Sequence, residues 1–153
     1  MRASSVKVRR ILSLWLPRLP TDRLKRQLSG QDAAPDDARP CVVVGKLNNA
    51  LQISALNDAA ADIGLEIGLP LANARAVCPD VEVFDADEAA DAKLMEAIAD
   101  WCDRFTPLVA LDAPDGLLLD ISGCAHLFGG EAAMLRNVCG LLARQGFVVN
   151  AAI

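Results

Sequence analysis

Leu108-Val-Ala-Leu-Asp-Ala-Pro-Asp-Gly-Leu-Leu-Leu-Asp-Ile121 decides the fold. Two apolar runs, Leu108–Leu111 and Leu117–Ile121, flank Ala113-Pro114-Asp115-Gly116, and Pro-Asp-Gly is tight-turn chemistry, so the stretch reads as a β-hairpin. A long helix is expected before it, opened by the acidic stretch Asp85–Asp91. There Leu94, Ile98, Trp101, Cys102 and Phe105 fall on one face, while Lys93, Glu96, Asp100 and Asp103 lie elsewhere. A second amphipathic helix over Glu131–Arg144 follows, with Met134, Val138, Leu141 and Leu142 on its apolar side, and Phe147–Ile153 reads as a last strand.

Upstream, Val8–Leu16 reads as a buried first strand that ends at Pro17, with Thr21 capping a basic helix through about Leu28. Gly30–Pro40 reads as a loop. Cys41–Val44 and Leu51–Leu56 form a second hairpin around Lys46-Leu47-Asn48-Asn49. Asn57 caps a short helix that stops at Gly64, Gly68-Leu69-Pro70 opens another ending before Pro79, and Val81–Phe84 is a short strand. Without about Leu24–Phe84, the order is strand, helix, strand, strand, helix, strand. The fold class is therefore α+β, a ferredoxin-like βαββαβ unit with a lobe inserted after strand one. The expected domains are 1–23 with 85–153, and 24–84. Such an order names no activity by itself.

The chain has 153 residues, 53% of them hydrophobic and 23% charged, which suits one folded domain with a small extra lobe and excludes a disordered chain. The net charge of −5 hides a gradient: residues 1–30 carry eight basic residues against Asp22 alone, a net of +7, and the remainder nets −12. Clustered cations supply the sequence-independent part of nucleic-acid binding or meet an acidic protein; a solvated tail is the alternative. Five scattered cysteines and a lone His126 give no zinc spacing and suit a reducing compartment. The apolar run Ile11–Leu16 is too short for a signal peptide or a membrane span, so no membrane is expected and the cytoplasm is the default.

Longer stretches carry a resemblance. They are Ile11-Leu-Ser-Leu-Trp-Leu-Pro-Arg-Leu-Pro20, Val43-Val-Gly-Lys-Leu-Asn-Asn-Ala50, Ile63-Gly-Leu-Glu-Ile-Gly-Leu-Pro70 and Thr106 through Gly130, sharpest over Leu117–Gly130. On these the chain resembles Y-family translesion DNA polymerases, in particular the ImuB-type polymerase-like proteins of bacterial mutagenic repair. The resemblance implies a polymerase palm (1–23 and 85–153) and a fingers-like insertion (24–84), with thumb, little-finger and clamp-binding parts beyond Ile153.

Active members of that family place Asp-x-Asp at the end of strand one, aromatics after it, and Asp-Glu at the hairpin turn. Their fingers helix adds a Tyr and an Arg for the incoming triphosphate. Laid on this sequence, the first pair falls on Trp15 and Pro17, the sugar-gating aromatic on Pro20, the turn pair on Asp115 and Gly116, and the triphosphate contacts on Asp58 and Ala61. Two magnesium ions need several converging carboxylates. The resemblance therefore implies a non-catalytic subunit in which Asp115 is vestigial, with no metal site and no cofactor. Its implied partners are primer-template DNA, an error-prone replicative-type polymerase subunit, a RecA-like accessory protein and the sliding clamp. Arg18, Arg23, Lys25 and Arg26 are the candidate contacts for DNA or an acidic partner.

The alternative is a low-activity nucleotidyltransferase with Mg²⁺ gathered by Asp112, Asp115 and Asp120, which strand alternation disfavours. Asp115 is otherwise a turn residue, His126 a core or surface residue, and Gly129-Gly130 a loop-to-helix entry. Trp15 and Trp101 read most simply as core, although a Trp in place of a ligand also plugs the vacated site.

Overall fold

The computed structural model describes residues 8–32 and 34–153; Arg2 and Lys7 of the basic leading segment lie outside the described residues. The chain divides into two compact units, residues 1–17 with 92–153, and 18–91.

In the first unit, β1 (Ile11–Trp15), β5 (Val109–Asp112), β6 (Gly116–Asp120) and β7 (Asn150–Ala152) form one sheet in the order β5-β6-β1-β7. Every neighbouring pair is antiparallel. This is the ferredoxin-like order, with the hairpin strand β6 beside β1 as expected. Leu12, Leu14, Leu117 and Leu119 lie on one face and are essentially inaccessible. The core is completed by Met95, Ile98 and Cys102 of α4 (Glu88–Cys102) and by Met134, Val138 and Leu142 of α5 (Glu131–Arg144). On α4 the buried stripe thus runs through Met95 rather than Leu94, which is only half-buried.

α5 has the expected bounds. Gly129 and Gly130 enter it with φ of 85° and 105°, a backbone that side chains rarely adopt, so the two glycines serve the turn from the short 3-10 segment Ala125–Phe128. The start of β1 is tied to the same region: Arg10 N donates to Ser122 Oγ at 2.8 Å, and the Arg10 guanidinium makes two bonds to the Glu131 carboxylate at 2.8 and 2.7 Å.

The second unit holds α1 (Leu19–Gln27), β2 (Cys41–Leu47), β3 (Ala50–Leu56), α2 (Asp58–Asp62), α3 (Leu71–Val77) and β4 (Glu82–Asp85). Its sheet runs β3-β2-β4, with β2 and β4 parallel. The run Cys41–Val44 is uniformly apolar because the sheet is buried on both faces. Val42, Val44 and Ile53 pack with Leu56, Leu65 and Leu71 on one side, and Val43 and Ala55 pack with Leu24 on the other. The β2–β3 turn is two residues, Asn48 and Asn49, with φ of 50° and 62°, the conformation for which Asn is favoured in tight hairpins.

The unit boundaries fall at 17/18 and 91/92, against the sequence reading of 23/24 and 84/85. Leu24 packs on Val43 and Ala55, and Arg23 is bonded to Asp91, which ties α1 and the start of α4 to this unit. Thr21 is not the N-cap of α1: the helix starts at Leu19 after Arg18 with Pro20 in its first turn, and the buried Thr21 hydroxyl donates back to the Arg18 carbonyl at 3.0 Å. Among the described residues no helix is long and apolar enough to cross a membrane.

Candidate functional site

The antiparallel register sets Trp15 directly opposite Gly116, in a cross-strand row that reads Asp112, Gly116, Trp15, Asn150. Trp15 is not a core residue. It is 51% exposed, on the opposite face to Leu14, and its indole nitrogen donates to Asp115 Oδ2 at 3.1 Å. The main chain reinforces the link, since Leu16 N donates to the Asp115 carbonyl at 2.9 Å. Gly116 is needed for packing, because a Cβ there would lie 2.8 Å from the Asp112 carbonyl oxygen and 3.3 Å from Asp112 Oδ2. A glutamate at this position could not be seated without moving the turn.

The donor set here does not fit a pair of divalent cations. Trp15 and Pro17 offer no anionic oxygen, and the Asp115 carboxylate is engaged by an indole. Asp112 is exposed on the edge strand. Asp120 lies four residues further along β6 than Gly116, about 13 Å at ~3.3 Å per residue, and its Oδ1 accepts from Ser122 N at 3.0 Å. Asp112, Asp115 and Asp120 therefore do not converge. Among the described residues no group of three His, Cys, Asp or Glu side chains is arranged to hold a metal ion.

The cations singled out from the sequence belong to the second unit, and three are committed to carboxylates. Arg18 Nε donates to Asp58 Oδ1 at 3.0 Å. Asp58, onto which the resemblance lays a triphosphate contact, is thus matched by a cation of its own chain. Arg23 is only 9% exposed and bonds Asp91 at 2.5 Å and Gln27 at 3.1 Å, which makes it a structural residue. Lys25 pairs with Asp37, and Arg26 lies exposed on α1. Ala61 follows in α2, whose start is fixed by Asn57: Oδ1 accepts from Ala60 N and Cys41 N, both at 3.0 Å, and Nδ2 donates to the Arg39 carbonyl at 2.8 Å.

His126 is exposed in the 3-10 segment. Trp101 is half-buried, edge-on to Phe105 at 5.3 Å and beneath the Arg104 guanidinium at 4.5 Å. Burial pushes the Cys41 thiol up to about 12, with Glu82 adding to the effect, and pushes Cys102 up to about 11, so neither is poised as a nucleophile. The Trp15–Asp115 bond and the partners of Arg18 and Arg23 escaped the sequence reading. They join residues 40 to 100 positions apart, where no periodicity reports contact.

Residues 35–152 match the impB/mucB/samB family. Over 91 residues the chain is 52% identical to Protein ImuB of Caulobacter vibrioides, covering 60% of this chain and 20% of that protein. It is 33% identical over 66 residues to DNA polymerase IV 2 of Mesorhizobium japonicum, covering 43% of this chain and 16% of that protein. The chain thus spans about one fifth of the length of these relatives. Among solved structures, a Y-family DNA polymerase chimera superposes with a TM-score of 0.73 at 14% identity, over 93% of this chain and 41% of that one. DinB from Sulfolobus solfataricus gives 0.72 with the same identity and coverage. The fold is therefore that of the palm and fingers of Y-family polymerases.

Proposed function

Because the chain belongs to the impB/mucB/samB family, we propose that it is the palm and fingers portion of a non-catalytic, Y-family-like subunit acting in translesion synthesis and damage-induced mutagenesis. The observation that carries this reading is the bond from Trp15 to Asp115: an aromatic stands at a metal-carboxylate position and engages the one carboxylate left at the turn. Gly116 adds to it, since its neighbourhood excludes the second turn carboxylate. Phosphoryl transfer depends on electrostatic stabilisation of the transferring group, and Trp15, Pro17 and Gly116 offer no carboxylate to hold the cations that would supply it.

In this reading the retained fold organises partners at primer-template DNA: an error-prone replicative-type polymerase subunit that performs synthesis, a RecA-like accessory protein and the sliding clamp. The likeness to Protein ImuB and the family match support a role in translesion synthesis. The ion pairs of Arg18, Arg23 and Lys25 reduce the positive charge that α1 offers to DNA or to an acidic partner.

Primer extension tests the proposal. Given primed template, nucleotides and Mg²⁺ or Mn²⁺, the protein is expected to add no nucleotide. Extension that vanishes on Asp115→Ala would defeat it.

A further inference from the structure

The sheet of the first unit buries one face and leaves the other open. The register gathers Leu108, Ala110, Leu118 and Trp15 on the open face. Leu108 joins them because its carbonyl accepts from Asp120 N at 2.9 Å, which extends the β5–β6 ladder by one pair. Leu108 is 62% exposed, Trp15 51% and Leu118 37%. Scattered exposed apolar residues are ordinary, but a contiguous set on one sheet face marks an interaction surface. Asp112 lies in the Trp15 row and Asp115 at the adjoining turn. None of the four strands contains a Lys, Arg or His.

We propose that this face docks a segment of a partner protein that carries Lys or Arg beside large apolar side chains. Charge complementarity selects that occupant. A nucleic-acid backbone would bring phosphates against Asp112 and Asp115 where the strands supply no cation, whereas binding driven by counterion release requires Lys or Arg. A second copy of the chain, meeting this one by two-fold symmetry, would set the same carboxylates against each other. A basic apolar segment satisfies both features: its apolar groups cover Leu118 and Leu108, and its cations meet Asp112, Asp115 and the exposed face of the Trp15 indole. The Asp115 bond orients that indole for the contact. The inference rests on the non-catalytic reading, because a face used by a partner protein is not used for templated synthesis.

The chain contains two tryptophans, so Trp101→Phe leaves Trp15 as the sole fluorescent reporter. The variant is titrated with a synthetic amphipathic Leu/Lys helix, with its Leu/Glu counterpart, and with primed duplex DNA. The Leu/Lys peptide is expected to shift Trp15 emission to the blue, and the other two to leave it unchanged. Removing both charges with Asp112→Asn and Asp115→Asn should weaken the peptide about tenfold. Leu118→Ser should weaken it as well, while Ile67→Ser, at an exposed residue of the second unit, should not.

Binding indifferent to Leu118→Ser, or weakened equally by Ile67→Ser, overturns the proposal. So does a Trp15 response to duplex DNA, or a dimer dissociated by Leu118→Ser. Failure of the parent reading looks different, since it appears as primer extension by the unsubstituted chain whatever the peptide does.

Discussion

Trp15 and Asp115 are joined side chain to side chain, indole Nε1 to carboxylate Oδ2, at 3.1 Å across the end of the β1–β6 ladder. Trp15→Phe keeps an aromatic ring and deletes only the donor. It should lower stability by about 0.5–1.5 kcal/mol, the net worth of one such bond, as read by urea denaturation. Asp115→Asn should cost less, because the amide oxygen still accepts.

Gly116 sits under the Asp112 carbonyl, so the strain of any side chain there arises at Cβ. Gly116→Ala and Gly116→Glu should both lower the melting temperature, each by about 1–3 kcal/mol of stability as for other overpacked positions. Restoring carboxylates with Trp15→Asp plus Gly116→Glu should therefore give a less stable protein and no nucleotide addition.

Arg23 and Lys25 are close on one helix and differ in setting. The Arg23–Asp91 side chains are 10% and 16% exposed, the Lys25–Asp37 side chains 42% and 80%. Arg23→Ala strands a largely buried carboxylate and should cost about 3–5 kcal/mol. Lys25→Ala should cost at most about 1 kcal/mol, as an exposed pair does. Denaturant midpoints for the two variants measure the contrast.

Asn57 holds α2 and the 36–41 loop together through both ends of its amide. Asn57→Ala should destabilise by about 1–2 kcal/mol, as expected for a lost N-cap. Asn57→Asp keeps the two accepted bonds but turns an anion toward the Asp36 and Arg39 carbonyls, so it should rescue only part of the loss. Hydrogen exchange at Ala60 and Cys41 reports the difference.

Titration should limit stability at both extremes of pH. The hydrogen bond from Arg10 holds the Glu131 carboxyl below its ordinary value. Its contribution is complete above the ordinary carboxylate range and is lost as pH falls through the depressed folded value; Glu131→Gln should remove that part of the acid sensitivity. At the alkaline end, the buried Cys41 thiol keeps its proton to about 12 while the unfolded thiol ionises near 9.0. Unfolding thus gains in favour as pH rises between these values. Cys41→Ser should flatten the alkaline arm, and iodoacetamide should label Cys41 only after denaturation.

What the sequence made legible was local. The Asn57 cap and the bounds of α5 are each written in a few adjacent residues and formed as read, while both hairpins formed with tighter turns than the sequence suggested: β2 runs on to Leu47 and β3 starts at Ala50, leaving only Asn48-Asn49 between them, and Gly116 belongs to β6 rather than to the turn. The failures have a common cause. Thr21 resembled a cap, but Pro20 already suited the first turn and moved the helix start to Leu19. Met95 displaced Leu94 on α4 because a stripe of apolar residues does not say how the helix is rotated against its core. Trp15 looked like core because it ends an apolar strand, yet strand alternation sends it to the face opposite Leu14. Arg18, Arg23 and Lys25 looked like available cations because their partners Asp58, Asp91 and Asp37 come from later segments that only the folded sheet brings near.

The function proposed above requires that the β5–β6 turn seat no pair of divalent ions. Site-resolved paramagnetic broadening by Mn²⁺, followed in the amide spectrum of the 153-residue chain with nucleotide present, tests it most directly. A turn that holds no ions leaves Trp15, Asp115 and Gly116 broadened no more than exposed acidic segments elsewhere, with no change on Asp115→Asn. Saturable broadening centred on Asp115 and Gly116, and abolished by Asp115→Asn, would contradict it.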